Sequence, residues 1–140
     1  MKRNAAIALF ALSTLAAGSR ALAQEPGVKA TVPFEFTVSG KLLPADTYTI
    51  TSSSEGVITI QSADKHFRVE TTTYRGNDES TKGSEFVFAK YGDKYFLDEV
   101  LCPTTASLNV EIPKSKLEKE VQIQQAQLGG VPEPVLIAAK

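Results

Sequence analysis

The chain has 140 residues, with 15 Lys and Arg against 16 Asp and Glu, one His, one Cys, one Met and no Trp. One Cys and one His cannot hold an iron–sulfur cluster or a structural zinc, and a lone Cys excludes a disulfide within the chain. At 42% hydrophobic and 22% charged, the composition is that of a single globular domain rather than a disordered chain.

Residues 1–23 read as a signal peptide. Lys2 and Arg3 make a basic start, residues 5–17 are an unbroken run of small, apolar and hydroxyl side chains, and Ala21-Leu22-Ala23 gives the small-x-small pattern of a cleavage site. The run is too short to span a bilayer as a helix. Cleavage after Ala23 leaves 12 basic and 16 acidic residues, a net charge of −4. That balance offers nothing to a phosphate backbone, so nucleic acid is not an expected partner. No later segment has the length of a transmembrane helix. The expected location is therefore outside the cytoplasm, in the periplasm or the medium.

Residues 24–112 read as an antiparallel β domain, because apolar and polar side chains alternate with period two. In residues 31–39, Val32, Phe34, Phe36 and Val38 share one face. After the corner Leu42-Leu43-Pro44-Ala45-Asp46, a strand over 47–51 turns Tyr48 and Ile50 inward. The strand over 57–61 does the same with Ile58 and Ile60, and the strand over 66–74 with Phe67 and Val69. Residues 75–83 form a polar loop. Strands over 84–91 and 94–101 make a hairpin around Gly92-Asp93, a strong turn signal, with Phe86 and Phe88 set against Tyr95 and Leu97. A last short strand covers 108–112. About 6–8 short strands joined by short turns predict a sandwich or small barrel, since no crossover helices are present to build a parallel sheet.

A helix is predicted over 113–128. Pro113 suits a first turn, the following residues are good helix formers, and Gly129-Gly130 ends the run. Leu117, Val121 and Leu128 lie near one face, with Glu118 and Gln122 placed elsewhere. The tail 129–140 is mostly apolar after Pro132 and Pro134, and suits either an edge strand or a loose end.

Three tracts occur here in order: Val32-Pro33-Phe34-Glu35-Phe36-Thr37-Val38-Ser39-Gly40-Lys41-Leu42-Leu43-Pro44-Ala45; Phe86-Val87-Phe88 with Tyr91-Gly92-Asp93-Lys94-Tyr95-Phe96-Leu97; and Ile112-Pro113-Lys114-Ser115-Lys116. Together they resemble a family of short exported proteins common in acidobacterial genomes, over roughly 28–121. The family has no known activity, so the resemblance implies an exported all-β protein and no catalytic residue. It usually carries Gly where this chain has Asp46, and Asp is one of the few residues that tolerate the left-handed backbone a Gly would supply.

Candidate chemistry is sparse. His66 and Cys102 form the one nucleophile–base combination, with a surface histidine and a buried small hydrophobe as the structural alternatives. Asp98 and Glu99 alternate across a strand and do not act as a pair. No phosphate loop, nucleophile elbow or dinucleotide fingerprint is present, and no metal or other cofactor is implied. Tyr74, Tyr91, Tyr95 and Phe96 gather near strand ends and form a candidate binding surface, although cross-strand packing also accounts for them and the lack of Trp weighs against a carbohydrate platform. These features favour a non-catalytic binding or envelope-associated module that meets another exported protein through its helix and tail. A small thiol-dependent or hydrolytic enzyme using Cys102 with His66, and a self-associating structural protein, are the alternatives.

Overall fold

The computed structural model describes residues 27–76 and 83–140. The signal-peptide reading of 1–23, and most of the polar loop at 75–83, fall outside the described residues. Among those described, eleven strands and one helix follow in chain order: β1 (Gly27–Val32), β2 (Phe36–Val38), β3 (Lys41–Leu43), β4 (Asp46–Ser54), β5 (Val57–Ser62), β6 (Arg68–Thr72), β7 (Tyr74–Arg75), β8 (Glu85–Tyr91), β9 (Lys94–Leu101), β10 (Val110–Glu111), α1 (Lys116–Gln127) and β11 (Glu133–Ala138).

The strands form two sheets. The first has the order β1-β4-β5-β6 and the second β11-β8-β9-β10-β7, all antiparallel. The β2–β3 hairpin joins β9 through one parallel bridge, Thr37 to Phe96. The sheets meet on both sides. Lys29 and Lys140 exchange two backbone hydrogen bonds of 2.9 Å, which carry β1 onto the end of β11. On the other side the chain passes from β6 to β7 through Thr73, whose N–H donates to the Gly56 carbonyl at 2.8 Å. The fold is thus a flattened, mostly antiparallel barrel, all-β as the alternation indicates, with one C-terminal helix inserted before its last strand.

One apolar core fills the interior. Val28, Ala30, Val32, Tyr48, Ile50, Ile58, Ile60 and Val69 face it from the first sheet, and Phe86, Phe88, Leu97 and Val100 from the second. Phe36 sits between them, edge-on to Tyr48 at 5.1 Å and to Phe88 at 5.2 Å. The Tyr48 hydroxyl is satisfied at the edge of this core by donating to the half-buried Pro44 carbonyl at 2.6 Å.

Several elements depart from the sequence reading. The run 31–39 is two strands, because Pro33 has no N–H for the ladder and the chain turns there. Phe34 keeps to the core side across this break, edge-on to Phe88 at 5.1 Å and stacked on Tyr95. Phe67 is 40% exposed, since β6 starts only at Arg68 and Phe67 still belongs to the preceding turn. The corner at Asp46 needs no left-handed residue: positive φ falls on Ser39 and Gly40, and the Asp46 carboxylate accepts the Thr47 N–H at 2.7 Å. The tail is not loose, because β11 pairs with β8 along its whole length. Pro134 is tolerated there as an outer-strand proline.

The helix is rotated from the expected face. Val121 and Glu118 are its buried residues, whereas Leu117 and Leu128 are 43% and 81% exposed. Val121 packs with Ala89, Tyr91 and Phe96 in a second, smaller apolar cluster on the outer face of β8 and β9. Ser115 caps the helix, its hydroxyl accepting from the Glu118 N–H at 3.2 Å. Ser115 and Glu118 have the spacing of a capping box, but the Glu118 carboxyl points inward, toward Asp98.

Candidate functional site

The four aromatic residues singled out from the sequence do not form one surface. Tyr91 and Phe96 are buried beneath α1 and pack edge-to-face at 5.6 Å. Tyr95 is half-buried, stacked on Phe34 at 3.8 Å, with the Lys90 ammonium 5.6 Å from its ring centre. Tyr74 stands apart on β7, 67% exposed.

Two clefts divide them. A groove of about 380 Å³ runs between the β2–β3 hairpin, the β8–β9 turn and α1. Tyr95 and Phe96 line it together with Leu42 and Leu117, and Glu35, Asp93 and Lys94 stand in its walls. The two-residue turn that shapes this end depends on Gly92, whose φ of 64° is left-handed. A second cleft of about 490 Å³ lies where β6 passes into β7, below the β4–β5 turn, and takes in Tyr74. Both volumes are in the range of small-molecule sites.

A polar cluster that the sequence reading missed lies under α1. Asp98 is the extra residue of a β-bulge, since Val87 pairs with Glu99 but Phe88 with Leu97. Bulges re-aim side chains, and this one turns the Asp98 carboxyl toward Glu118, with Tyr91 and Lys114 beside them. The Glu118 and Asp98 carboxyls and the Tyr91 hydroxyl are close enough to interact. Yet Glu118 Oε1, Asp98 Oδ1 and Tyr91 Oη are buried without a partner in hydrogen-bond geometry. Burial, and then the neighbouring Asp98, push the Glu118 carboxyl up to about 8. With its carboxyl protonated, Glu118 adds no second negative charge beside Asp98, and Lys114 stands next to both. No sequence signal marks the cluster, because a glutamate in the first turn of a charged helix reads as a solvated one.

His66 and Cys102 each have their own partners. His66 sits at the β5–β6 turn, its Nδ1 2.8 Å from Asp64, and that carboxylate holds the imidazole above its ordinary value. Cys102 is 2% exposed. Its Sγ accepts from the Ser84 hydroxyl at 3.6 Å and lies 3.7 Å from that of Thr104. Burial raises the thiol and these hydroxyls lower it, leaving it below its ordinary value. Neither side chain is bonded to the other.

No family model, curated protein or solved structure matches this chain. The chemistry of the two clefts and of the buried cluster is therefore what bears on function. Among the described residues, no group of three or more His, Cys, Asp or Glu could hold a metal ion, and no helix is long and apolar enough to cross a membrane.

Proposed function

We propose that this protein is a non-catalytic binding module, exported and acting at or beyond the cell envelope, which seats an apolar side chain of a partner protein in the groove beside α1. The observation that carries the reading is the pair Leu42 and Leu117, 64% and 43% exposed, set over Tyr95 and Phe96 in one groove. Covering a leucine side chain is worth about 1.5–3 kcal/mol, so a partner residue that fills the groove gains from both. Glu35 and Asp93 against the single Lys94 make the walls net negative, which favours Lys or Arg beside the seated residue. Export is supported by the pattern of residues 1–23 and by the resemblance to exported acidobacterial proteins. Leu117 comes from the first turn of α1, which agrees with a partner met through the helix.

The test is selection from a displayed random peptide library on the purified protein, with counter-selection on the double variant L42D/L117D. Both positions are exposed, and far-UV circular dichroism checks that the variant is folded. Enrichment of peptides with a large apolar residue next to Lys or Arg, lost on the double variant, is the expected result. Equal enrichment on both proteins, or none on either, overturns the reading.

A further inference from the structure

The second cleft carries a different chemistry. Its walls come from three places: Ser52 and Glu55 at the β4–β5 turn, Thr73, Tyr74 and Arg75 at the crossing between the sheets, and Ser107 in the segment before β10. Thr73 is fixed at the crossing by its backbone bond to Gly56. Its residue is 9% exposed, yet its hydroxyl has no hydrogen-bond partner. Buried hydroxyls are bonded in the large majority of cases, so Thr73 is an unusual position behind the cleft wall; its hydroxyl is itself buried and closed to a ligand, and the groups that can meet one are the exposed Glu55, Tyr74, Arg75 and Ser107. Arg75 has no ion-pair partner among the described residues, where the ion pairs are His66–Asp64 and Arg68–Glu70. The Tyr74 ring is the most exposed aromatic ring of the described chain and enters none of its ring–ring contacts.

These groups select a ligand by complementarity. A free guanidinium takes a carboxylate or a phosphate. Glu55 in the facing wall repels a dianion and instead accepts from hydroxyls. The ring of Tyr74 offers an apolar face with a polar tip, enough for one saturated ring rather than a chain of them. We propose that this cleft binds a monosaccharide acid: a pyranose with one carboxylate, which pairs with Arg75. Its ring hydroxyls donate to Glu55 and bond the Ser107 hydroxyl, and its C–H face lies on Tyr74. The site is separate from the groove beside α1 and does not depend on it.

The experiment is a two-dimensional NMR titration of the purified protein with glucuronate and galacturonate, and with glucose, acetate and glucose 6-phosphate as comparison probes. At least one hexuronate should shift the amides of Thr73, Tyr74, Arg75 and Ser107 saturably. Glucose, which lacks the carboxylate for Arg75, and acetate, which lacks the ring and its hydroxyls, should each bind about tenfold more weakly or worse. Arg75→Gln should weaken the hexuronate about tenfold, and Tyr74→Ala should weaken it while leaving the thermal midpoint nearly unchanged, since the ring is 67% exposed. L42D/L117D should bind the hexuronate as the parent does. The proposal is overturned if neither hexuronate moves these amides up to about 20 mM, if Arg75→Gln and Tyr74→Ala bind unchanged, or if glucose or glucose 6-phosphate binds as tightly as the hexuronate.

Discussion

Replacing Glu118 by Gln should remove a fall in stability between about pH 5 and pH 8. In the folded protein the Glu118 carboxyl is held protonated up to about 8, whereas the ordinary value of 4.5 applies once the chain is unfolded. Between those values the folded state binds the additional proton, so stability declines as pH rises and the term is fully present only below the unfolded value. Each unit is about 1.4 kcal/mol, so raising the pH from about 5 to about 8 removes about 4 kcal/mol. Gln keeps the shape and hydrogen-bonding capacity of the protonated acid and has no proton to lose. The variant should match the parent near pH 5 and exceed it by about 3–4 kcal/mol at pH 8. Urea unfolding at one-unit steps, followed by far-UV circular dichroism, measures the difference. His66, raised by Asp64, also loses its contribution as pH rises, but it does so in both proteins and cancels. Parallel curves for parent and variant would refute the account of a proton held under α1.

Two further outcomes follow from buried groups in the barrel. Tyr48→Phe removes the 2.6 Å donor from the half-buried Pro44 carbonyl, and should cost about 0.5–1.5 kcal/mol in urea unfolding. A loss below about 0.5 kcal/mol would mean the bond contributes nothing net. Cys102, buried behind Ser84 and Thr104, should react with a thiol-specific disulfide reagent at least about a hundredfold faster in urea than in buffer, because access rather than thiolate fraction governs it. Rapid labelling of the native protein would contradict its burial.

How much of this was legible in the sequence depended on whether local pattern or long-range contact decided the outcome. The Gly92-Asp93 turn placed β8 against β9, and alternation put Tyr48, Ile50, Ile58 and Ile60 inside, as observed. Alternation failed at Phe67, where a turn delays the strand while the apolar spacing continues. The helix face was misread because Glu118 counts as polar in any hydropathy pattern. Its burial depends on a bulge at Asp98 that is visible only in the pairing of β8 with β9. Tyr91, Tyr95 and Phe96 were noticed as aromatics near a turn, but their separation into a stacked pair and a helix-covered pair comes from Phe34 and Val121, 61 and 30 residues from Tyr95 and Tyr91. The cleft at Thr73 could not be read at all, since it exists only where the chain changes sheets.

The two bonds between Lys29 and Lys140 also set an order of assembly. β1 and β8 both await the same partner on their open sides, and that partner is made of residues 133–140. A chain emerging from its amino end can form the β4–β5 and β8–β9 hairpins early, since those contacts are local. It cannot close the barrel until its last strand is free, and closure across the full sequence is slow. Until then it carries two unpaired strand edges, the feature by which β proteins join one another wrongly. A stall or truncation before residue 133 therefore leaves more than a shortened protein: it leaves one with two edges open to other chains.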